Sequence, residues 1–183
     1  MENYKKNLEL LTKNFVYTKE MEHDACGVGL IASTEGKKSR AVVEHGIEAL
    51  KAVWHRGAVD ADGKTGDGAG IHVEIPKDFF IEKIQVTGHD YDNSEICVGM
   101  IFLPRNDYSA QESCKTIVES ELTKNNFSIY GWRQVPVNPK VLGEKALQTM
   151  PEIIQVLFKS NDPNLLDKNL ERKIYETRKR IEN

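Results

Sequence analysis

No stretch of this 183-residue chain approaches the roughly 18 consecutive apolar residues that a membrane-spanning helix needs. The opening MENYKKNLELLTKNFVYTKEMEHDA has no uninterrupted apolar core, which excludes a secretory signal. Its five acidic side chains argue against an organelle transit peptide. Cysteine is scarce. Cys26, Cys97 and Cys114 are odd in number, widely spaced and form no CxxC, so they make neither a disulfide framework nor a zinc site. A reducing cytoplasm is the natural setting for such a set. The five histidines show no HExxH or similar spacing, so no bound metal is expected. An excess of one charge is missing too: 25 basic against 28 acidic residues leaves a net charge of −3, with no basic field to draw nucleic acid.

What is present is an ordinary globular composition, 39% hydrophobic and 29% charged, in a chain long enough for about one or two domains. CGVGLIAS (26–33) reads as a strand. Ser39 can cap a helix whose Val43, Ile47, Leu50 and Trp54 share one face and which stops near Gly57, a candidate left-handed C′ residue. VDADGKTGDGAG must be loop, and IHVEIP (71–76) alternates as a second strand. The apolar run ICVGMIFLP (96–104) predicts a strand covered on both faces. SAQE (109–112) predicts a capping box opening a helix with Cys114, Val118 and Leu122 in line. FSIYGWRQVPVN (127–138) and EIIQVLF (152–158) are further strands. Asp162–Pro163 predicts the start of a last helix lined by Leu166, Leu170 and Ile174. That helix meets no stop signal before Asn183, an ending expected of a chain cut from something longer. Several strands with helices around them indicate layered α+β rather than a bundle.

Three features invite a chemical reading. GKT at 63–65 resembles the end of a phosphate-binding loop, but the required glycine at position 58 is Ala58, and the loop follows a helix instead of a strand. Cys97 and Cys114 lie on apolar stripes and read as core. Cys26 differs: Gly27 and Gly29 leave the backbone beside it bare, and a polar leader ends at Ala25. Were the Ala25–Cys26 bond cut, one residue would supply a thiol nucleophile and an α-amine general base. The residues alone leave both readings of Cys26 open.

HDACGVGLIA, then ALKAVWHRGAVDADGKTGDGAGI, then GWRQVPVNPKVLGEKALQTMPEIIQVLF resemble, in order and spacing, the N-terminal region of the glutamate synthase large-subunit family. The resemblance runs from about residue 18 to the end. It implies a type 2 glutamine amidotransferase domain of the Ntn-hydrolase αββα sandwich class, here incomplete. Residues 1–25 then correspond to a propeptide, residues 26–183 to the first part of the domain, and Cys26 to the nucleophile that hydrolyses L-glutamine. Arg56 and Gly57 match the family segment beside the nucleophile, and Asp67 is a candidate wall residue or a simple turn-former. Trp132 and Arg133 are motif positions without an assigned chemical role. The resemblance also implies FMN and an iron–sulfur cluster in the whole enzyme, a synthase domain that joins ammonia to 2-oxoglutarate, and a small subunit as a further partner. The electron donor, NAD(P)H or ferredoxin, stays open.

Two family motifs, like RFSTNT for the glutamine carboxylate and like HNGEIN for the oxyanion hole, occur nowhere in the 183 residues. The chain by itself is therefore expected to be nearly inert. The competing reading is a non-catalytic binding or regulatory module on a truncated Ntn scaffold. An open reading frame running past Asn183 into an HNGEIN-like stretch would favour the enzyme.

Overall fold

A computed structural model of the chain describes residues 2–13, 27–54 and 57–183. It divides into two units, Met1–Arg56 and Gly57–Asn183.

The first unit contains helices α1 (Glu2–Lys13) and α2 (Arg40–Ala52). Ser39 caps α2 as expected: its backbone is extended and its Oγ accepts the Ala41 N–H at 3.2 Å. Val43, Ile47 and Leu50 form a half-buried stripe. The helix stops at Ala52, short of Gly57, and leaves Trp54 beyond its end, 72% exposed. The strand expected at 26–33 is not formed by its described residues, 27–33. Val28 and Leu30 are almost wholly exposed, at 94% and 89%. An apolar alternation becomes a strand only when a neighbour accepts its backbone groups, and this segment has none in the described residues.

The second unit is built on an antiparallel sheet of β1 (Cys97–Leu103), β2 (Phe127–Gln134) and β3 (Glu152–Ser160). The order is β1-β3-β2, so the last strand in sequence is the central one. Its run from Ile154 to Phe158 is buried throughout, as a strand between two partners and two faces demands. On one face lie α4 (Tyr108–Lys124) and α6 (Asp167–Glu182), closing a core of Cys97, Val118, Leu122, Phe127, Val156, Phe158 and Leu170. On the other face α3 (Lys77–Val86) packs Phe80 and Ile84 against Ile96, Tyr130 and Leu157. A short α5 (Glu144–Thr149) precedes β3. The architecture is α+β.

Four expectations for this unit need correction. IHVEIP (71–76) is not a strand, and Ile71 and Val73 are exposed, because a strand needs a second one beside it to form a ladder. β1 is an edge strand and is not covered on both faces: α3 covers only the end near Val98, so Met100 and Phe102 stay 49% and 63% exposed. The cap of α4 is Asp107, whose Oδ1 accepts the Ala110 N–H at 2.9 Å, and Ser109 lies inside the first turn. Asp162 caps a separate turn through Asn164 N–H at 2.9 Å, while α6 begins at Asp167 after an uncapped Leu166. In α4 the Asp107 carboxylate satisfies a free N–H of the first turn, whereas α6 begins without a side-chain cap, where the packing of its apolar stripe sets the start. Among the described residues no helix is long and apolar enough to cross a membrane.

Candidate functional site

Of the residues singled out above, Cys26 and Arg56 lie outside the described residues, whereas Gly57 and Asp67 sit on the glycine-rich loop of the second unit. That loop is a braced hairpin. Val59 and Gly66 form an antiparallel bridge, and the Asp60 N–H donates to the Thr65 carbonyl at 2.7 Å. The Asp67 N–H donates to the Ala58 carbonyl at 3.3 Å, and the Asp67 carboxylate accepts the Ala58 N–H at 2.8 Å. Asp67 thus ties the end of the loop to the residue that follows Gly57. Its structural duty is a brace rather than the simple turn of the sequence reading.

The tip of the hairpin is organised by Asp62. Its Oδ1 accepts the N–H groups of Lys64 at 2.9 Å and Thr65 at 2.7 Å, and its Oδ2 accepts the Thr65 hydroxyl at 2.5 Å. The hydroxyl of Thr65, followed by these backbone donors, holds the Asp62 carboxyl well below the usual carboxylate range. The Gly63 N–H donates to the Asp60 carbonyl at 2.9 Å. The amides of Gly63, Lys64 and Thr65 are therefore consumed inside the loop. A phosphate would need those same N–H groups, so the GKT stretch is no phosphate cradle.

The loop is also held from outside. Lys145 Nζ lies 2.7 and 2.6 Å from the two oxygens of Asp60. Gly143, the residue before α5, approaches so closely that a Cβ would stand within 2.5 Å of the Thr65 nitrogen and closer still to Thr65 Oγ1 and Asp62 Oδ2. Gly143 has no side chain to cap α5, and Asp62 comes to that helix start from the loop, with the Lys145 backbone N–H adding to its depressed pKa. The ADGKTGDG and LGEKAL stretches, about eighty residues apart in sequence, meet here. Spacing offers no signal for such a pairing. Its only trace is a lone glycine ahead of a lysine.

The GWR positions acquire structural roles. Tyr130 is the extra residue of a bulge between Ile129 and Gly131. Gly131 adopts φ +147°, and a Cβ there would meet the Thr87 side chain at 2.8 Å, so glycine is required twice over. Trp132 donates its Nε1–H to Glu119 of α4 at 2.6 Å and packs on the α4–α6 core. Arg133 donates to Gln155 Oε1 of the central strand at 2.6 Å, and its guanidinium stacks 5.2 Å from the Phe79 ring. These residues knit β2 to its neighbours. Cys97 is buried, and burial pushes its thiol up to about 12, the opposite of a nucleophile's need. Cys114 is half-buried on α4.

The chain matches the model of the class-II glutamine amidotransferases over residues 26–183. It is 53% identical over 180 residues to the glutamate synthase [NADPH] large chain of Azospirillum brasilense, covering 98% of this chain and 12% of that protein. It is 40% identical over 162 residues to ferredoxin-dependent glutamate synthase 1 of Arabidopsis thaliana, covering 88% of this chain and 10% of that protein. A further relative, ferredoxin-dependent glutamate synthase of Pyropia yezoensis, is 41% identical over 164 residues, 89% of this chain and 10% of its own length. The chain spans about a tenth of the length of these relatives. A match that takes in the Cys26 motif, the glycine-rich loop and the whole sheet leaves one assignment: the chain belongs to the class-II glutamine amidotransferases.

Proposed function

We propose that this chain is the leading part of a glutaminase domain within a glutamate synthase polypeptide, with Cys26 as its nucleophile and residues 1–25 as a leader removed on maturation. The observation that carries the reading is the point at which the family match begins, which is Cys26 itself. Cleavage after Ala25 would place a thiol and an α-amine on one residue. The Cys26 thiolate attacks the side-chain amide carbon of L-glutamine, and the amine carries the proton to the departing nitrogen. Ammonia leaves, a glutamyl thioester remains on Cys26, and water resolves it to glutamate. Arg56 and Gly57 enter this reading as site-adjacent residues through the resemblance, and the Asp67 carboxylate holds the Ala58 N–H next to Gly57.

The synthase step, with 2-oxoglutarate as acceptor of the ammonia, falls to the part of such a polypeptide that this chain does not span, and so does a small subunit as partner. FMN and an iron–sulfur cluster would supply reducing electrons there. A cluster does not fit the donors of this chain: it takes about four cysteine thiolates, whereas Cys97 is closed in a strand core and Cys114 lies on a different element. The setting for this chemistry is the cytoplasm.

The test is made on the full natural polypeptide that carries this segment. Intact-mass measurement and N-terminal sequencing should find Cys26 as the first residue, and Cys26→Ala should abolish glutamate release from glutamine. A fully active enzyme that retains Met1–Ala25, or one indifferent to Cys26→Ala, would overturn the assignment.

A further inference from the structure

The connection from α3 to β1, residues 87–95, contains no buried residue, yet it is tied to the sheet at both of its ends. Tyr91 packs against the core on the α3 side, and its hydroxyl donates to the Ser94 carbonyl at 2.9 Å. The Asp92 carboxylate is the hub of the connection. Its Oδ1 accepts the Tyr130 hydroxyl at 3.0 Å and the Ser94 N–H at 3.2 Å, and its Oδ2 takes an ion pair from Lys159 of the central strand. Lys159 Nζ also stands 5.6 Å from the centre of the Tyr130 ring. At the other end the Thr87 hydroxyl lies 2.8 Å from the Tyr130 carbonyl. One connection therefore grips Tyr130 twice, at its backbone and at its side chain. All these groups belong to the second unit.

Tyr130 is the extra residue of the β2 bulge, and its effect shows in the faces on either side of it. Ile129 packs on the α4–α6 side. Strict alternation from there would send Trp132 to the α3 side and Arg133 to the α4–α6 side. The observed faces are the inverse: Trp132 meets Glu119 of α4, and Arg133 stacks on Phe79 of α3. A bulged residue stands outside the ladder, so contacts from elsewhere must hold it. We infer that Asp92 is a latch on this bulge: by tying Tyr130 to Lys159 it keeps the extra residue on the α3 side and so fixes the faces on which the rest of β2 presents Trp132 and Arg133. Tyr130 is only 4% exposed, so loss of the carboxylate leaves a buried hydroxyl without its acceptor. The connection and the strand then loosen together, although Asp92 and Tyr130 are 38 positions apart.

Hydrogen–deuterium exchange on the full natural polypeptide tests the latch, read at peptides spanning 87–95 and 127–134 and corrected for intrinsic rates. Asp92→Ala should quicken exchange by about threefold to tenfold in both stretches. Asp92→Asn keeps an oxygen for Tyr130 and loses the charge, so it should give a smaller rise in both. Lys159→Met should act in the same direction. The double Asp92→Ala/Lys159→Met should be no worse than Asp92→Ala, because both remove the same contact. Tyr130→Phe should quicken the 87–95 stretch although the changed residue lies on β2, and it carries the test if Asp92→Ala fails to fold. Asp90→Asn, at an exposed carboxylate of the same connection, should leave both stretches unchanged. A rise confined to 87–95 in Asp92→Ala, or to 127–134 in Tyr130→Phe, would reduce Asp92 to a local tie of the connection and overturn the latch. Unchanged exchange in both variants would overturn it too, and so would an equal rise in Asp90→Asn, which marks a response to charge alone.

Discussion

Cys97 and Cys26 have the same side chain and opposite expectations. Cys97 sits at the start of β1 among Val118, Phe127 and Phe158, and burial first, then the neighbouring Glu95, pushes its thiol from 9.0 up to about 12. A thiol whose folded pKa is raised stabilises the fold fully below its unfolded value and loses that contribution as pH climbs through the folded one. The window here is about pH 9 to 12. Urea midpoints measured across that window should fall less steeply in Cys97→Ala than in the unmutated protein. The same burial makes Cys97 slow toward a glutamine-mimicking electrophile. In the mature polypeptide peptide mapping should find the label on Cys26, with Cys97 and Cys114 spared. Equal labelling of all three under native conditions would contradict the assignment of Cys26.

At the scale of elements, β2 and β3 hold the unit together. Leu157, wholly buried in the central strand, contacts the α3 side of the sheet, while Val156 and Phe158 serve the α4–α6 side. Truncation to alanine removes the isopropyl end of this side chain and leaves a cavity in the core. Leu157→Ala should cost about 2–5 kcal/mol in chemical denaturation, whereas Met100→Ala, on the uncovered part of β1, should cost under about 1 kcal/mol. The bulge at Tyr130 offers a sharper test of backbone geometry. Gly131→Ala brings a Cβ into both an unfavourable φ and the Thr87 methyl, and about 1–3 kcal/mol of stability should be lost. Thr87→Ala in the same molecule should recover part of it, because the clash is relieved and the φ strain is not. Full recovery would mean that backbone strain contributes nothing there.

Among the described residues, several apolar side chains stay uncovered. Val28, Leu30, Ile71, Val73, Met100 and Phe102 are all exposed. The αββα sandwich implied by the family would need a second sheet, and among the described residues there is one sheet of three strands. The chemistry is short of parts as well. With neither an oxyanion-hole motif nor a carboxylate-binding motif in the 183 residues, each absent donor is worth on the order of 3–4 kcal/mol of transition-state stabilisation. Residues 26–183 expressed with a free N-terminal cysteine should therefore release ammonia from glutamine at a rate far below about 1 per second. Turnover at or above that rate, absent in Cys26→Ala, would show that the chain has substitutes for the missing groups.

Several of the helices and strands were legible because their signals are local. Ser39 ahead of an apolar stripe, the ICVGMIFL run and EIIQVLF each declare an element within ten residues or so, and the quoted motifs suffice for the family. The strands at 26–33 and 71–76 misled for a definite reason. Alternation reports that a segment suits a sheet, whereas the sheet itself depends on a neighbour that sequence spacing does not reveal. Caps misled in a milder way, since Asp107 and Ser109 both could accept an N–H and only the packing of Val118 and Leu122 set the start. The union of Gly143 and Lys145 with Asp60, Asp62 and Thr65 was beyond reach from sequence, because it is a contact across about eighty residues. Local composition determined which segments of the sheet unit are helix and which are strand. Tertiary structure alone decided which of those strands find partners and which side chains hold the loop in place, because both depend on groups brought together only when the chain has folded.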